Sequence, residues 1–115
     1  MSGNPQSGRI PVRLPRADVM ACGKALQRTF TASQLEDVTL EFINHELTIS
    51  SKWGGTILPY EGDFEGTLVL HGGNFRKLIS ANTRSENKGV WIECRVDKKL
   101  KEFAMGNAGV KCRFL

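Results

Sequence analysis

The sequence predicts an α+β fold in which a β-α-β-β-β unit is used twice, with two helices packed on one face of antiparallel sheets. Three observations predict it. Each half reads as a strand, a helix and then strands joined by tight turns: Arg9–Leu14, Pro15–Phe30 and the strand-rich stretch Asp37–Tyr60, followed by Gly66–His71, Asn74–Thr83 and the strand-rich stretch Gly89–Phe114. Val38, Leu40 and Phe42 stand 52 positions before Val90, Ile92 and Cys94, so the alternating apolar run after the first helix has a counterpart after the second. Both helices set an apolar stripe against an outer face whose charges are positive.

Each element has a local reason. Residues 1–8 (Met-Ser-Gly-Asn-Pro-Gln-Ser-Gly) are polar and small, and are expected to be disordered. Ile10, Val12 and Leu14 alternate as a half-buried strand does. Pro15 suits the first turn of a helix, where its missing N–H is not needed. Val19, Cys22, Leu26 and Phe30 then fall on one helical stripe, with Arg16, Lys24, Gln27 and Arg28 on the other side and Gly23 allowing a close approach to a sheet. Asn44-His45 interrupts the alternation of Val38–Phe42 and Leu47–Ile49, which signals a hairpin. Gly54-Gly55 marks the next turn, and the acid-bearing stretch Pro59–Gly66 reads as an exposed connection with a short strand near Phe64.

In the second half, Leu68 and Leu70 open a strand, and Asn74 is placed to cap the helix that follows Gly72-Gly73. Phe75, Leu78, Ile79 and Asn82 share one face of that helix; Arg76, Lys77, Ser80 and Arg84 take the other. Val90, Ile92 and Cys94 alternate, Asp97-Lys98-Lys99 and Gly106-Asn107 turn, and Val110, Cys112 and Phe114 form a last strand over 109–115 that is expected at a sheet edge. Lys111 and Arg113 are its edge charges and no proline guards it, so it is a candidate subunit interface.

The bulk numbers fit one domain over residues 9–115. A chain of 115 residues has no room for two independent cores. Lys and Arg outnumber Asp and Glu by 16 to 12, a mild excess that permits a polyanion partner and leaves the distribution of charge to decide. Cys22, Cys94 and Cys112 lack paired spacing, which excludes the common zinc frameworks, and their odd number argues against a disulfide scaffold. They read as buried free thiols. There is no apolar signal core and no membrane-spanning run, so a soluble cytoplasmic protein is expected. His45 and His71 sit in turns without a ligand or base partner at a recognisable spacing; Glu61, Asp63 and Glu65 do not match the calcium loop; no phosphate loop is present. No enzyme, no metal and no cofactor are expected. Trp53 and Trp91 are candidates for stacking on bases.

The element order, twice strand-helix-strand-strand-strand in about 105 residues, resembles one domain of a DNA sliding clamp, the family of the bacterial polymerase III beta clamp and of proliferating cell nuclear antigen. Val38 to Ser50 (Val-Thr-Leu-Glu-Phe-Ile-Asn-His-Glu-Leu-Thr-Ile-Ser) resembles the hairpin V-x-L-x-x-x-x-x-x-L-x-I that follows the first helix there. Phe64 to Ile79 resembles the strand that feeds the second helix, and Leu100 to Leu115 the closing hairpin. The resemblance covers roughly residues 9–115. It implies helices that turn their basic faces to double-stranded DNA, which here would be Arg16, Lys24, Arg28, Arg76, Lys77 and Arg84. Clamp rings contain six such domains, so a comparable ring would need six copies, and a two-fold dimer is the smaller assembly expected. The expected function is a clamp-like DNA-binding or DNA-encircling module acting as a homo-oligomer. The rival is a protein-interaction or regulatory module on the same fold that does not bind DNA.

Overall fold

A computed structural model describes residues 9–30, 36–51, 54–84 and 89–115, with the side chains of residues 26–30 outside the description. In chain order the elements are β1 (Arg9–Pro15), α1 (Arg16–Phe30), β2 (Asp37–Ile43), β3 (Glu46–Ser51), β4 (Gly54–Pro59), β5 (Glu61–Gly62), β6 (Gly66–His71), α2 (Gly72–Asn82), β7 (Trp91–Asp97), β8 (Glu102–Met105), β9 (Ala108–Lys111) and β10 (Arg113–Phe114). The chain is α+β and mostly sheet. One five-stranded sheet runs β5-β1-β7-β8-β9 and the other β10-β6-β2-β3-β4, with every pairing antiparallel.

Each helix therefore carries the chain from one sheet to the other. Strand β1 leaves the first sheet through α1 to enter β2 of the second, and β6 leaves the second through α2 to enter β7 of the first. Neither helix is preceded by a loop. Pro15 closes β1 beside Trp91, and Arg16 is already helical. Because proline has no N–H, the strand's last ladder position costs no donor there. The first helical N–H groups are satisfied across the fold: Arg16 donates to the Val90 carbonyl at 2.8 Å and Gly72 to the Glu36 carbonyl at 2.8 Å.

The alternation read from the sequence sets the inner faces. Val12 and Leu14 on β1, Val38, Leu40 and Phe42 on β2, Leu47 and Ile49 on β3, and Leu68 and Leu70 on β6 are buried. With Val19 and Cys22 of α1 and Phe75, Leu78 and Ile79 of α2, they belong to one continuous apolar cluster. Aromatic rings cluster in the core around Phe42. Phe42 sits 5.1 Å from Tyr60 and 5.2 Å from Phe64, both edge-on, and 6.3 Å from Phe103 of the other sheet. A gap of about 10 Å³ lined by residues of both helices and both sheets is no larger than a water needs. No helix among the described residues is long and apolar enough to cross a membrane.

Several boundaries differ from the sequence reading. Val90 precedes β7 and is 74% exposed; the buried set is Ile92, Cys94 and Val96, because β1 ends opposite Trp91 and leaves nothing for Val90 to pack under. Asn74 lies inside the first turn of α2 and is not its cap; that place falls to His71, which makes no capping bond. Gly54 and Gly55 belong to β4, paired with Ser51 and Ser50. The short strand expected near Phe64 is Glu61–Gly62, and Phe64 itself is buried outside any strand. The last strand over 109–115 is two strands in different sheets, β9 and β10, with Cys112 buried at the crossing. The tail 1–8, the side chains of Leu26, Arg28 and Phe30, and Trp53 lie outside the described residues. The Asn44-His45 turn is as expected: both residues have positive φ, 52° and 63°, as two-residue hairpin turns require.

Gly23 serves the contact between the helices and not a helix–sheet contact. A Cβ there would stand 2.8 Å from Cγ2 of Ile79 on α2, a branched methyl with little freedom to move. Gly23→Ala should therefore destabilise the fold by about 1 kcal/mol, overpacking of about 1–3 kcal/mol outweighing a helix-propensity gain of about 1 kcal/mol. In an Ile79→Ala background the same change should stabilise. Urea denaturation of the four proteins of this cycle measures the reversal; equal effects in both backgrounds would contradict the contact.

Candidate nucleic-acid interface

The cations of the two helices fall into two groups. Arg16 is half-buried and its guanidinium is engaged within the protein. Nε donates to the Gly89 carbonyl at 2.8 Å, and Nη1 donates to the carbonyl of Asn82. Asn82 is the last residue of α2, so the Arg16 charge sits at the negative end of that helix dipole. Arg16 thus ties the start of α1 to the end of α2 and to the approach to β7. Lys24, Lys77 and Arg84 are exposed and Arg76 is half-buried. Arg28 lies on α1 with its side chain outside the described residues.

Two of the exposed cations neighbour, in sequence, the residues through which the helices touch. Lys24 follows Gly23, and Lys77 stands two residues before Ile79, the pair in contact. Among the described residues, none of Lys24, Arg76, Lys77 and Arg84 has a carboxylate within ion-pair distance. The ion pairs found there are Arg9–Asp97 at 3.6 Å and Arg13–Glu61 at 2.7 Å, which join neighbouring strands, and Arg113–Asp37 at 3.5 Å, which spans from β10 across β6 to β2. The ion pairs among the described residues thus lie on the sheets, and these four cations have none. Asp18, the acid in the first turn of α1, is exposed and stands where the helix dipole favours it.

The residues read as a subunit interface are turned inward. Cys112 is buried, and Val110 and Phe114 are half-buried against the same core, the Phe114 ring 6.5 Å from Phe64. Strand β9 is nevertheless the end of its sheet, bonded only to β8, so what it presents sideways is backbone. Strand β4 ends the other sheet in the same way, with Ile57 61% exposed.

Trp91 is not a free stacking platform, and Trp53 lies outside the described residues. Trp91 is half-buried and carries the Arg13 guanidinium 4.3 Å from its ring centroid; Arg13 in turn gives two hydrogen bonds to Glu61, at 2.9 and 2.7 Å. Sequence reasoning missed this triad. Its signal was faint: an arginine on an alternating strand and an acid in a stretch read as a loop. It also missed Asn82, whose side-chain amide donates to the Leu78 and Met105 carbonyls at 2.8 and 2.9 Å and locks the end of α2 to β8. A second set of cations, Lys98, Lys99, Lys101 and Lys111, surrounds the exposed Leu100 at the turn between β7 and β8.

Burial pushes the thiols up, Cys22 to about 11, Cys94 to about 12 and Cys112 to about 11, so all three are protonated at neutral pH and poor nucleophiles. No group of three or more His, Cys, Asp and Glu residues able to hold a metal occurs among the described residues. No protein-family model matches the chain, and no curated protein matches it.

The two groups of cations make opposite predictions. Arg16→Gln should destabilise the fold by about 1–3 kcal/mol, since two carbonyls lose a charged donor. Lys24→Gln or Lys77→Gln should change stability by no more than about 0.5 kcal/mol. Thermal and urea unfolding of the three variants separate a structural arginine from solvent-facing lysines; equal effects would contradict the division.

Proposed function

We propose that this protein is a clamp-like module that binds double-stranded DNA, without sequence preference, through the outer faces of α1 and α2, and that it works as a homo-oligomer. The observation that carries the reading is the set of cations without an ion pair among the described residues, Lys24, Arg76 and Lys77 on two helices in contact and Arg84 just past the second, while the ion pairs lie on the sheets. Phosphates would supply the missing counter-charge. Arg16 has a positioning part, since it joins the helices that carry those cations.

Support for the clamp-like duplication comes from correspondences between the halves. Exchanging β1–β5 for β6–β10 turns the order β5-β1-β7-β8-β9 into β10-β6-β2-β3-β4. The bond from Arg16 to Val90 answers that from Gly72 to Glu36. The bond from Tyr60 to His45 answers that from Cys112 to Lys101, and His45 and Lys101 share a positive φ, 63° and 53°. For assembly, β4 and β9 offer unpaired backbone at corresponding edges. Pairing β4 of one copy with β9 of the next would be head to tail, and would close into a ring or continue as a filament. The same edges also favour a second reading, a protein-interaction module that takes a strand of another protein and leaves DNA alone.

Binding to a circular duplex at low salt should weaken with added salt, with a log–log slope of about −0.9 per phosphate neutralised. Combined Lys24→Glu, Lys77→Glu and Arg84→Glu should abolish it with circular dichroism unchanged. Retained binding in that variant would move the site off the helices, and no binding by the parent protein would favour the second reading. Light scattering at micromolar concentration should give more than one subunit; a monomer would remove the assembly.

A further inference from the structure

The correspondence between the halves gives an internal comparison. In the shared backbone bonds Arg16 answers Gly72 and Tyr60 answers Cys112. Pro15, Pro59, Glu61 and Trp91 of the first half therefore correspond to His71, Lys111, Arg113 and Asp37 of the second. Each set lines a groove. The second groove, of about 200 Å³, is walled by Asp37, His71, Lys111 and Arg113, with buried Val69 and Cys112 also in its lining. Its chemistry is reversed relative to the first: a lysine stands in place of a proline and an arginine in place of an acid.

The backbone of β6 adds a donor. Gly72 donates to Glu36 on the β2 side, and Thr67 accepts from Leu115 on the β10 side. Backbone groups alternate along a strand, so Thr67, Val69 and His71 turn theirs toward β10. Strand β10 reaches only to Arg113, opposite Val69. The His71 N–H thus faces the groove with no strand beside it. Pro15, at the same place in the first half, has no N–H to offer.

Cations converge there. Asp37 holds Nη2 of Arg113 at 3.5 Å, and the Arg113 Nε and Nη1 have no partner among the described residues. Lys111 donates one bond to the Leu100 carbonyl at 3.2 Å, which leaves two of its N–H groups. Lys111 and Arg113 outnumber Asp37, so the groove carries excess positive charge.

We infer that this groove binds a terminal phosphate group, carried by an organic monoester or free in solution. Its oxygens accept from the His71 N–H, the Arg113 guanidinium and the Lys111 ammonium. These donors come from β6, β10 and β9, and three strands of donors suit a tetrahedral anion better than a planar carboxylate. A terminal phosphate carries a charge of about −1.5 to −2, so two cations hold it more firmly than the singly charged phosphodiester of a DNA strand. The site holds whether or not the helices bind DNA.

The test follows the His71 amide signal at constant ionic strength, above the second phosphate pKa of about 6. Phenyl phosphate should move it saturably, and benzoate should bind more weakly. Tighter binding of phenyl phosphate than of inorganic phosphate gives the site to organic monoesters, and binding no tighter gives it to free phosphate; either upholds it. Titration calorimetry then compares variants. Arg113→Gln should weaken phosphate binding about tenfold or more, the loss of a charge-assisted hydrogen bond. His71 already has a φ of −67°, which proline adopts, so His71→Pro should fold. It should bind about fivefold or more weakly, having lost the N–H. His71→Ala keeps that N–H and should stay within about twofold of the parent. No saturable shift with either phosphate, benzoate binding as tightly, parent affinity in Arg113→Gln or His71→Pro, or equal losses in His71→Pro and His71→Ala would each overturn the inference. A hydroxyl-ended duplex that moves the His71 signal in the Lys24→Glu, Lys77→Glu, Arg84→Glu variant would also overturn it and give the groove to the DNA backbone.

Discussion

The pairing of β1 with β7 and of β2 with β6 is the constraint on which the other features rest. It runs the full length of β1, from Arg9 opposite Asp97 to Pro15 opposite Trp91, and from Asp37 opposite His71 to Phe42 opposite Gly66 in the other sheet. The β1 ladder joins residues from near the two ends of the chain. Neither sheet can be completed by one half of the sequence, so the core forms only when both halves are present. Such non-local pairing folds slowly compared with helical bundles of the same size. Its structural result is that both helices become crossings between sheets and close over the same core, side by side.

That placement also explains the distribution of charge. Strand cations stand opposite strand acids in register, as Arg13 does with Glu61 and Arg9 with Asp97, and each pair neutralises itself. Helix cations have no neighbouring strand to supply an acid. Gly23 lets the two helices touch at Ile79, and Arg16 and Asn82 fix the ends. Surface pairs of this kind add little to stability, at most about 1 kcal/mol each. Their importance is in what they leave over, helix cations with no ion pair among the described residues.

Much of the fold was legible because alternation and helical periodicity report burial directly. Val38, Leu40, Phe42, Leu47 and Ile49 marked β2 and β3, and Phe75, Leu78 and Ile79 marked the buried side of α2. The two-residue strands β5 and β10 were not legible, since two residues carry no period and their pairing is decided by β1 and β6 alone. Val90 misled because its type fits a strand, while its exposure depends on where the neighbouring strand stops. Of the site, the exposed cations Lys24, Lys77 and Arg84 were readable as a charged face. The different duty of Arg16 was not, because its partners are backbone carbonyls, which any sequence supplies.

The central claim, that the helix face is the surface offered to DNA, is tested most directly by amide chemical-shift mapping during titration with a short duplex at low salt. The account predicts shifts concentrated at Lys24, Arg76, Lys77 and Arg84 and their helical neighbours, lost again as salt is raised. Shifts confined to the lysine-rich turn at Lys98, Lys99 and Lys101, with the helices silent, would contradict it.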